Sequence, residues 1–219
     1  MNRRYALGVI GAAAVAGGAF TLTNRTGGLP ELGAAYAAGA EADTSGVLEM
    51  TMGAVDAPIT LVEYASFTCP HCANFHNGPL KQLKADYIET GKVRFIYRDV
   101  YFDRFGLWAS MIARCDPNRF FGISDLLYND QKSWIGSGDP SEIAENLRKV
   151  GRIAGLTNEQ LETCLSDNDN AKALVAWYEE NSTRDEVTST PTLIIDGDKH
   201  SNMTYAELQT LLDKKLGTE

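Results

Sequence analysis

Cys69-Pro70-His71-Cys72 stands where an apolar run gives way to helical spacing. That placement constrains the fold more than any other feature of the 219-residue chain. The run before it, Ile59-Thr60-Leu61-Val62-Glu63-Tyr64-Ala65, is β-branched and aromatic, of strand length, and apolar enough for a buried central strand. After the second cysteine, Phe75, Leu80, Leu83 and Tyr87 recur at helical spacing to about Thr90, and Pro79 inside the stretch predicts a kink or break. Gly91 ends it, and Val93-Arg94-Phe95-Ile96-Tyr97-Arg98 reads as a second strand. The pattern is one βαβ unit with the cysteine pair at its strand-to-helix turn.

Residues 102–188 carry no convincing strand. Trp108, Met111, Ile112 and Cys115 form one helical stripe, and Asp116-Pro117 and Asp139-Pro140 each supply an N-cap followed by proline. Thr157-Asn158-Glu159-Gln160 is a capping-box pattern before a short helix that holds Cys164, and a further helix fits Asn170 to about Arg184. Then Thr190-Pro191-Thr192-Leu193-Ile194-Ile195-Asp196-Gly197 reads as a strand, Lys199–Met203 as a possible hairpin partner, and Thr204 as the cap of a last helix to about Leu216. The order β-α-β, helices, β-β-α describes an α/β module with a helical domain inserted between its halves: 41–101 and 189–219 around 102–188.

A Cys-x-x-Cys at a helix start suits redox work for a physical reason. The first sulfur lies over unpaired backbone N–H groups and the positive end of the helix dipole, and both favour the thiolate that attacks disulfides. His71, between the two, can add a positive charge or an N–H donor near Cys69. Each pKa unit of depression stabilises the thiolate by about 1.4 kcal/mol relative to the thiol. That thiolate exists only in the reduced form, so the same stabilisation makes the disulfide more oxidising. Haem attachment needs His directly after the second cysteine, where this chain has Ala73. Zinc needs a second close pair of ligands, but Cys115 and Cys164 are isolated, so no metal is expected. A purely structural small-loop disulfide stays open as the plainer reading.

The formal net charge is −9, and beyond residue 40 there are 17 basic against 28 acidic residues. Such a body repels phosphate backbones, which argues against a nucleic-acid partner. Residues 1–40 differ in character. Arg3 and Arg4 precede an uncharged apolar stretch from Tyr5 to Leu22, the form of an export signal, and Ala35-Tyr36-Ala37 offers a small-x-small cleavage site. A cleaved signal is the favoured reading and an uncleaved anchor the alternative; both place the body outside the cytoplasm, in the periplasm. Residues 23–47, rich in Gly, Ala and Thr, read as a linker.

Glu63 through Cys72, together with Thr190-Pro191 opening a late strand, resembles the thioredoxin superfamily and specifically its DsbA-like branch. The resemblance runs from about Val47 to the C-terminus. It implies a thioredoxin-like fold with an inserted helical domain and no cofactor. Cys69 is then the attacking sulfur and Cys72 the resolving one. Pro191 is a cis-proline facing the pair, Thr190 contacts substrate backbone, and Glu63 is a buried acid near the resolving cysteine. Apolar neighbours on both sides of Glu63 favour its burial and a raised pKa. His76 and His200 read as solvated and receive no role.

With Cys69 and Cys72 paired, Cys115 and Cys164 are the remaining couple. Two buried free thiols are one reading; an oxidising compartment favours a structural disulfide between two helices of the insertion. The function implied is a dithiol oxidase that donates its disulfide to unfolded exported proteins and is reoxidised by a quinone-linked membrane partner. A disulfide isomerase or reductase is the alternative on the same fold, since Thr190 before the proline also occurs in the isomerase branch. A non-catalytic binding module or chaperone with a permanently oxidised pair is a third possibility.

Overall fold

The computed structural model describes residues 29–30 and 42–217. The apolar N-terminal stretch, Ala35–Ala37 and most of the linker lie outside them. No helix among the described residues is long and apolar enough to cross a membrane.

Five strands form one mixed sheet: β1 Met50–Met52, β2 Ile59–Ala65, β3 Val93–Asp99, β4 Thr192–Ile195 and β5 Asp198–Ser201, in the order β1-β3-β2-β4-β5. The β-branched run is thus the central strand. It pairs parallel with β3, Glu63 opposite Tyr97, and antiparallel with β4, Tyr64 opposite Thr192. The parallel pair requires a crossover, which α1 Pro70–Asn77, α2 Pro79–Leu83 and a π-helical turn at Lys84–Ile88 provide. The break falls at Gly78, and Pro79 becomes the first residue of α2, where its missing N–H costs nothing.

Between β3 and β4 come α3 Arg104–Arg114, a 3₁₀ turn Pro117–Arg119, α4 Phe120–Asn129, α5 Gln131–Ile135, α6 Pro140–Ile153, α7 Asn158–Ser166 and α8 Asn168–Arg184; α9 Tyr205–Leu216 closes the chain. The caps are side chains of the expected type. Asp139 accepts from the Ser141 and Glu142 amides, and Thr157 and Thr204 each complete a capping box. Asp116 caps the 3₁₀ turn rather than an α-helix, and α4 follows at once. Strand β1 and helix α5, at three and five residues, were not expected from the sequence; both are too short to show a period.

Side-chain alternation splits β2 between two faces. Val62 and Tyr64 join Ile96 and Val100 in a small cluster against Tyr178 of α8. Leu61 and Ala65 face the main core, with Phe95, Phe75, Leu83 and Leu208. That core continues without a break into Leu107, Ile112, Phe120 and Leu147 of the helical insertion. The architecture is an α/β thioredoxin-like sheet with an inserted helical region, and the seam between the two carries the site described next.

Candidate active site

Strand β2 ends at Ala65, and Ser66-Phe67-Thr68 leads to Cys69, the N-cap of α1, with Pro70 just inside the helix. In the N-cap position the Cys69 side chain folds back over the first turn, and the Cys72 amide donates to its sulfur at 3.4 Å. Cys69 keeps 8% of its surface exposed, whereas Cys72, one turn deeper, keeps none. The β2–β4 register brings the chain entering β4 level with this turn. The Thr190–Pro191 peptide is cis, and the Cys69 sulfur lies 3.6 Å from the Thr190 carbonyl oxygen, to which it donates when protonated.

The two sulfurs are pushed in opposite directions. The Cys69 thiol is drawn down to about 5, first by a hydrogen bond from the Cys72 thiol, with the Thr190 hydroxyl and the Cys72 and His71 amides adding to it against the cost of burial. Thr190 Oγ1 is buried with no hydrogen-bond partner among the described residues, so its hydroxyl is available to the sulfur. Cys72 is pushed far above the ordinary thiol range, chiefly by burial, then by the Cys69 sulfur and the charge of Glu63. One cysteine is therefore a thiolate at neutral pH and its neighbour a thiol. The His71 side chain is exposed on the first turn, and its contribution to the sulfur comes through its backbone.

Glu63 points into the main core from β2 and is fully buried. Its Oε2 lies 2.8 Å from His76 Nε2, and its Oε1 has no hydrogen-bond partner among the described residues. His76 is not solvated, as the sequence suggested: it is 2% exposed. The reason is helical geometry. His76 lies four residues after Cys72, on the face of α1 that already buries that cysteine. The ring is packed 4.0 Å from that of Tyr128 and edge-on to Tyr97. His200, on edge strand β5, is half-buried, and its Nε2 is buried without a partner among the described residues.

Two further side chains anchor the turn from the insertion. Asp103, the N-cap of α3, accepts from the Phe105 and Gly106 amides through Oδ1 and from the Thr68 hydroxyl through Oδ2, at 2.8 Å. Gln131 is buried and donates its side-chain amide to the Phe67 and Cys69 carbonyls at 2.7 and 3.0 Å. An Asp preceding the apolar stripe of α3 is a recognisable cap signal; no sequence pattern marks Gln131. Away from the turn, Cys115 at the end of α3 is bonded to Cys164 of α7, with their Cα atoms 5.7 Å apart.

Residues 45–214 match the family model described as Thioredoxin. The chain belongs to that family. A putative protein-disulfide oxidoreductase of Rickettsia bellii is 31% identical over 170 residues, which cover 77% of this chain and 64% of the relative. The chain thus spans somewhat less than two thirds of that relative's length. The crystal structure of Wolbachia pipientis alpha-DsbA1 superposes with a TM-score of 0.72 at 25% identity, covering 78% of this chain and 92% of the other. The protein-disulfide isomerase of Novosphingobium aromaticivorans superposes at 0.69 with 26% identity, covering 77% and 97%. Within the thioredoxin superfamily the chain is DsbA-like.

Proposed function

We propose that the protein is an exported thiol–disulfide oxidoreductase acting as a dithiol oxidase on unfolded protein substrates. The substrate's thiolate attacks Cys69 in the Cys69–Cys72 disulfide, forming a mixed disulfide and expelling Cys72, which takes up a proton. A second substrate thiol then attacks the mixed disulfide and expels Cys69 as a thiolate. Counted from two substrate thiols, one proton ends on Cys72, one goes to solvent, and the substrate leaves with one disulfide. Reoxidation falls to a quinone-linked membrane partner. In this scheme Cys69 is the sulfur attacked and then released as a thiolate, and Cys72 is the sulfur first expelled; in the reverse direction Cys69 attacks and Cys72 resolves. Glu63 is the proton carrier for Cys72. His71 lends its amide to the thiolate, while Thr190 and Pro191 receive the substrate backbone.

The observation that carries the reading is the contrast between the sulfurs: Cys69 is held down to about 5 while Cys72 is pushed up. A stabilised reduced form makes its disulfide a strong oxidant. The Rickettsia bellii relative, a putative protein-disulfide oxidoreductase, is consistent with this chemistry.

An isomerase is the second reading, favoured by Thr190 before the proline and by the likeness to the Novosphingobium protein-disulfide isomerase. Equilibration in glutathione buffers separates the two. A potential near about −120 mV, the oxidising end of the superfamily, supports the oxidase. A potential near about −180 mV, with scrambled-disulfide refolding faster than dithiol oxidation, favours the isomerase, and one near about −270 mV a reductase. Cys69→Ser should abolish exchange with the fold retained; turnover surviving in that variant would remove Cys69 from the mechanism.

A further inference from the structure

The reaction above asks a buried thiol to gain and lose a proton at each cycle, yet Cys72 and Glu63 are both closed to solvent. In the proposed scheme Glu63, whose charge acts on Cys72, exchanges a proton with it and must then exchange one with water. Its Oε2 is 2.8 Å from His76 Nε2, and His76 has a second ring nitrogen.

His76 also lines a cavity of about 130 Å³ between α1, α2 and α4. Buried His76 and Ser124 form its floor, and exposed Lys81, Lys84, Gly122 and Asp125 form its mouth. A space that size holds several water molecules, and the floor and mouth supply the polar partners water needs. With Nε2 engaged by Glu63, Nδ1 is the ring nitrogen left to meet water in the cavity.

Resting on the oxidoreductase reading, we infer that His76 carries protons between Glu63 and this water-accessible cavity, so that the path for the resolving cysteine runs Cys72, Glu63, His76, water. His76 touches neither sulfur and acts through Glu63, as a positioning residue. During resolution of a mixed disulfide, the Cys72 proton passes to the Glu63 carboxylate while the Cys72 sulfur attacks Cys69 and expels the partner thiolate. Glu63 hands its proton to His76 Nε2, and Nδ1 releases one to water. During substrate oxidation the same transfers run in reverse.

The other groups facing the pair do not replace it. Tyr97 from β3 and Tyr128 from α4 pack on the imidazole, and burial holds both hydroxyls well above their ordinary range, so they stay neutral. Their hydroxyls bond to each other at 2.7 Å. Lys81, Lys84 and Asp125 stand at the mouth and are exposed.

The test follows the reduced full-length protein after mixing with oxidised glutathione and separates two steps by rapid quench: formation of the Cys69 mixed disulfide, then its resolution by Cys72. His76→Gln can keep a hydrogen bond to Glu63 but cannot relay a proton. It should slow resolution, relative to mixed-disulfide formation, by about tenfold or more and flatten the pH profile of that step. Imidazole should restore the rate in His76→Ala. Resolution by His76→Gln at the wild-type rate from pH 5 to 9 overturns the relay. If His76→Gln does not fold, the decision passes to Gly122→Leu at the cavity mouth, where a Cβ meets no atom within 4 Å. Slowed resolution in that variant supports the relay, and an unchanged rate overturns it. A wild type that forms no mixed disulfide at Cys69 sinks the oxidoreductase reading and the relay together. A wild type that exchanges normally beside an unaffected variant sinks the relay alone.

Discussion

Gln131 donates its side-chain amide to the Cys69 carbonyl at 3.0 Å, from a five-residue helix of the insertion. The same nitrogen reaches the Phe67 carbonyl at 2.7 Å, so one buried residue of the helical region pins two carbonyls of the redox turn. Gln131→Leu leaves these buried acceptors short of a donor, which costs about 1–3 kcal/mol. Urea unfolding should show a loss in that range. Gln131→Glu should do more to the chemistry, because its carboxylate would face two carbonyls and add negative charge near the Cys69 sulfur. The pH midpoint for alkylation of Cys69 should rise in Gln131→Glu, and an unmoved midpoint would mean that the residue is only a spacer.

Cys69 is held down to about 5 by hydrogen bonds that reach its sulfur. In reduced protein the rate of iodoacetamide capture at Cys69 should therefore rise through a midpoint near pH 5 and be flat at neutral pH, whereas an ordinary thiol has its midpoint at about 8.5. A midpoint above 8 would end the thiolate argument.

The same shift makes a statement about stability. The folded value of Cys69 lies below the unfolded one, so the stabilisation of reduced protein is fully present above the unfolded thiol value and is lost as pH falls toward about 5. Oxidised protein has no such titration at this pair. The Tm of reduced protein minus that of oxidised protein should decline between about pH 9 and pH 5. A difference independent of pH would contradict it.

What the sequence made legible is what local chemistry announces. Ile59–Ala65 is a strand over the whole β-branched run, Pro79 marks the helix break, and Thr157 and Thr204 cap as their patterns suggest. The placement of Cys69 at an N-cap followed from the same local signals. The residues that escaped notice act across the fold. Gln131 meets Cys69 over a separation of 62 residues and Asp103 meets Thr68 over 35, and no local period encodes either contact. His76 was misread for a different reason. A polar residue in a short helix looks solvated until its partner is known, and that partner, Glu63, is on the neighbouring strand.

Asp103 ties the first turn of α3 to the redox turn through Thr68. Asp103→Ala removes an N-cap, worth about 0.5–2 kcal/mol, and frees the Thr68 hydroxyl. Asp103→Asn keeps one oxygen to accept from the Phe105 and Gly106 amides, and its NH2 can donate to the Thr68 hydroxyl oxygen, so it should recover most of the loss. Thermal unfolding of the two variants checks this, and equal losses in both would show that charge rather than cap geometry matters.

Cys115 and Cys164 close a loop of 49 residues between α3 and α7, two helices that pack on each other. Cross-linking so long a loop restricts the unfolded chain, and the chain-entropy model assigns about 4 kcal/mol to it. The apolar stripe of α3 supplies a second hold: Trp108, Met111 and Ile112 are buried in the main core. Replacing both cysteines by alanine should therefore destabilise the protein by about 2–4 kcal/mol without loss of fold, read as a lower urea midpoint with an m-value equal to or larger than that of the bridged protein. A loss below about 1 kcal/mol would mean that the unfolded chain is already compact around α3 and α7. An m-value that fell on removing the bridge would contradict the restriction of the unfolded chain.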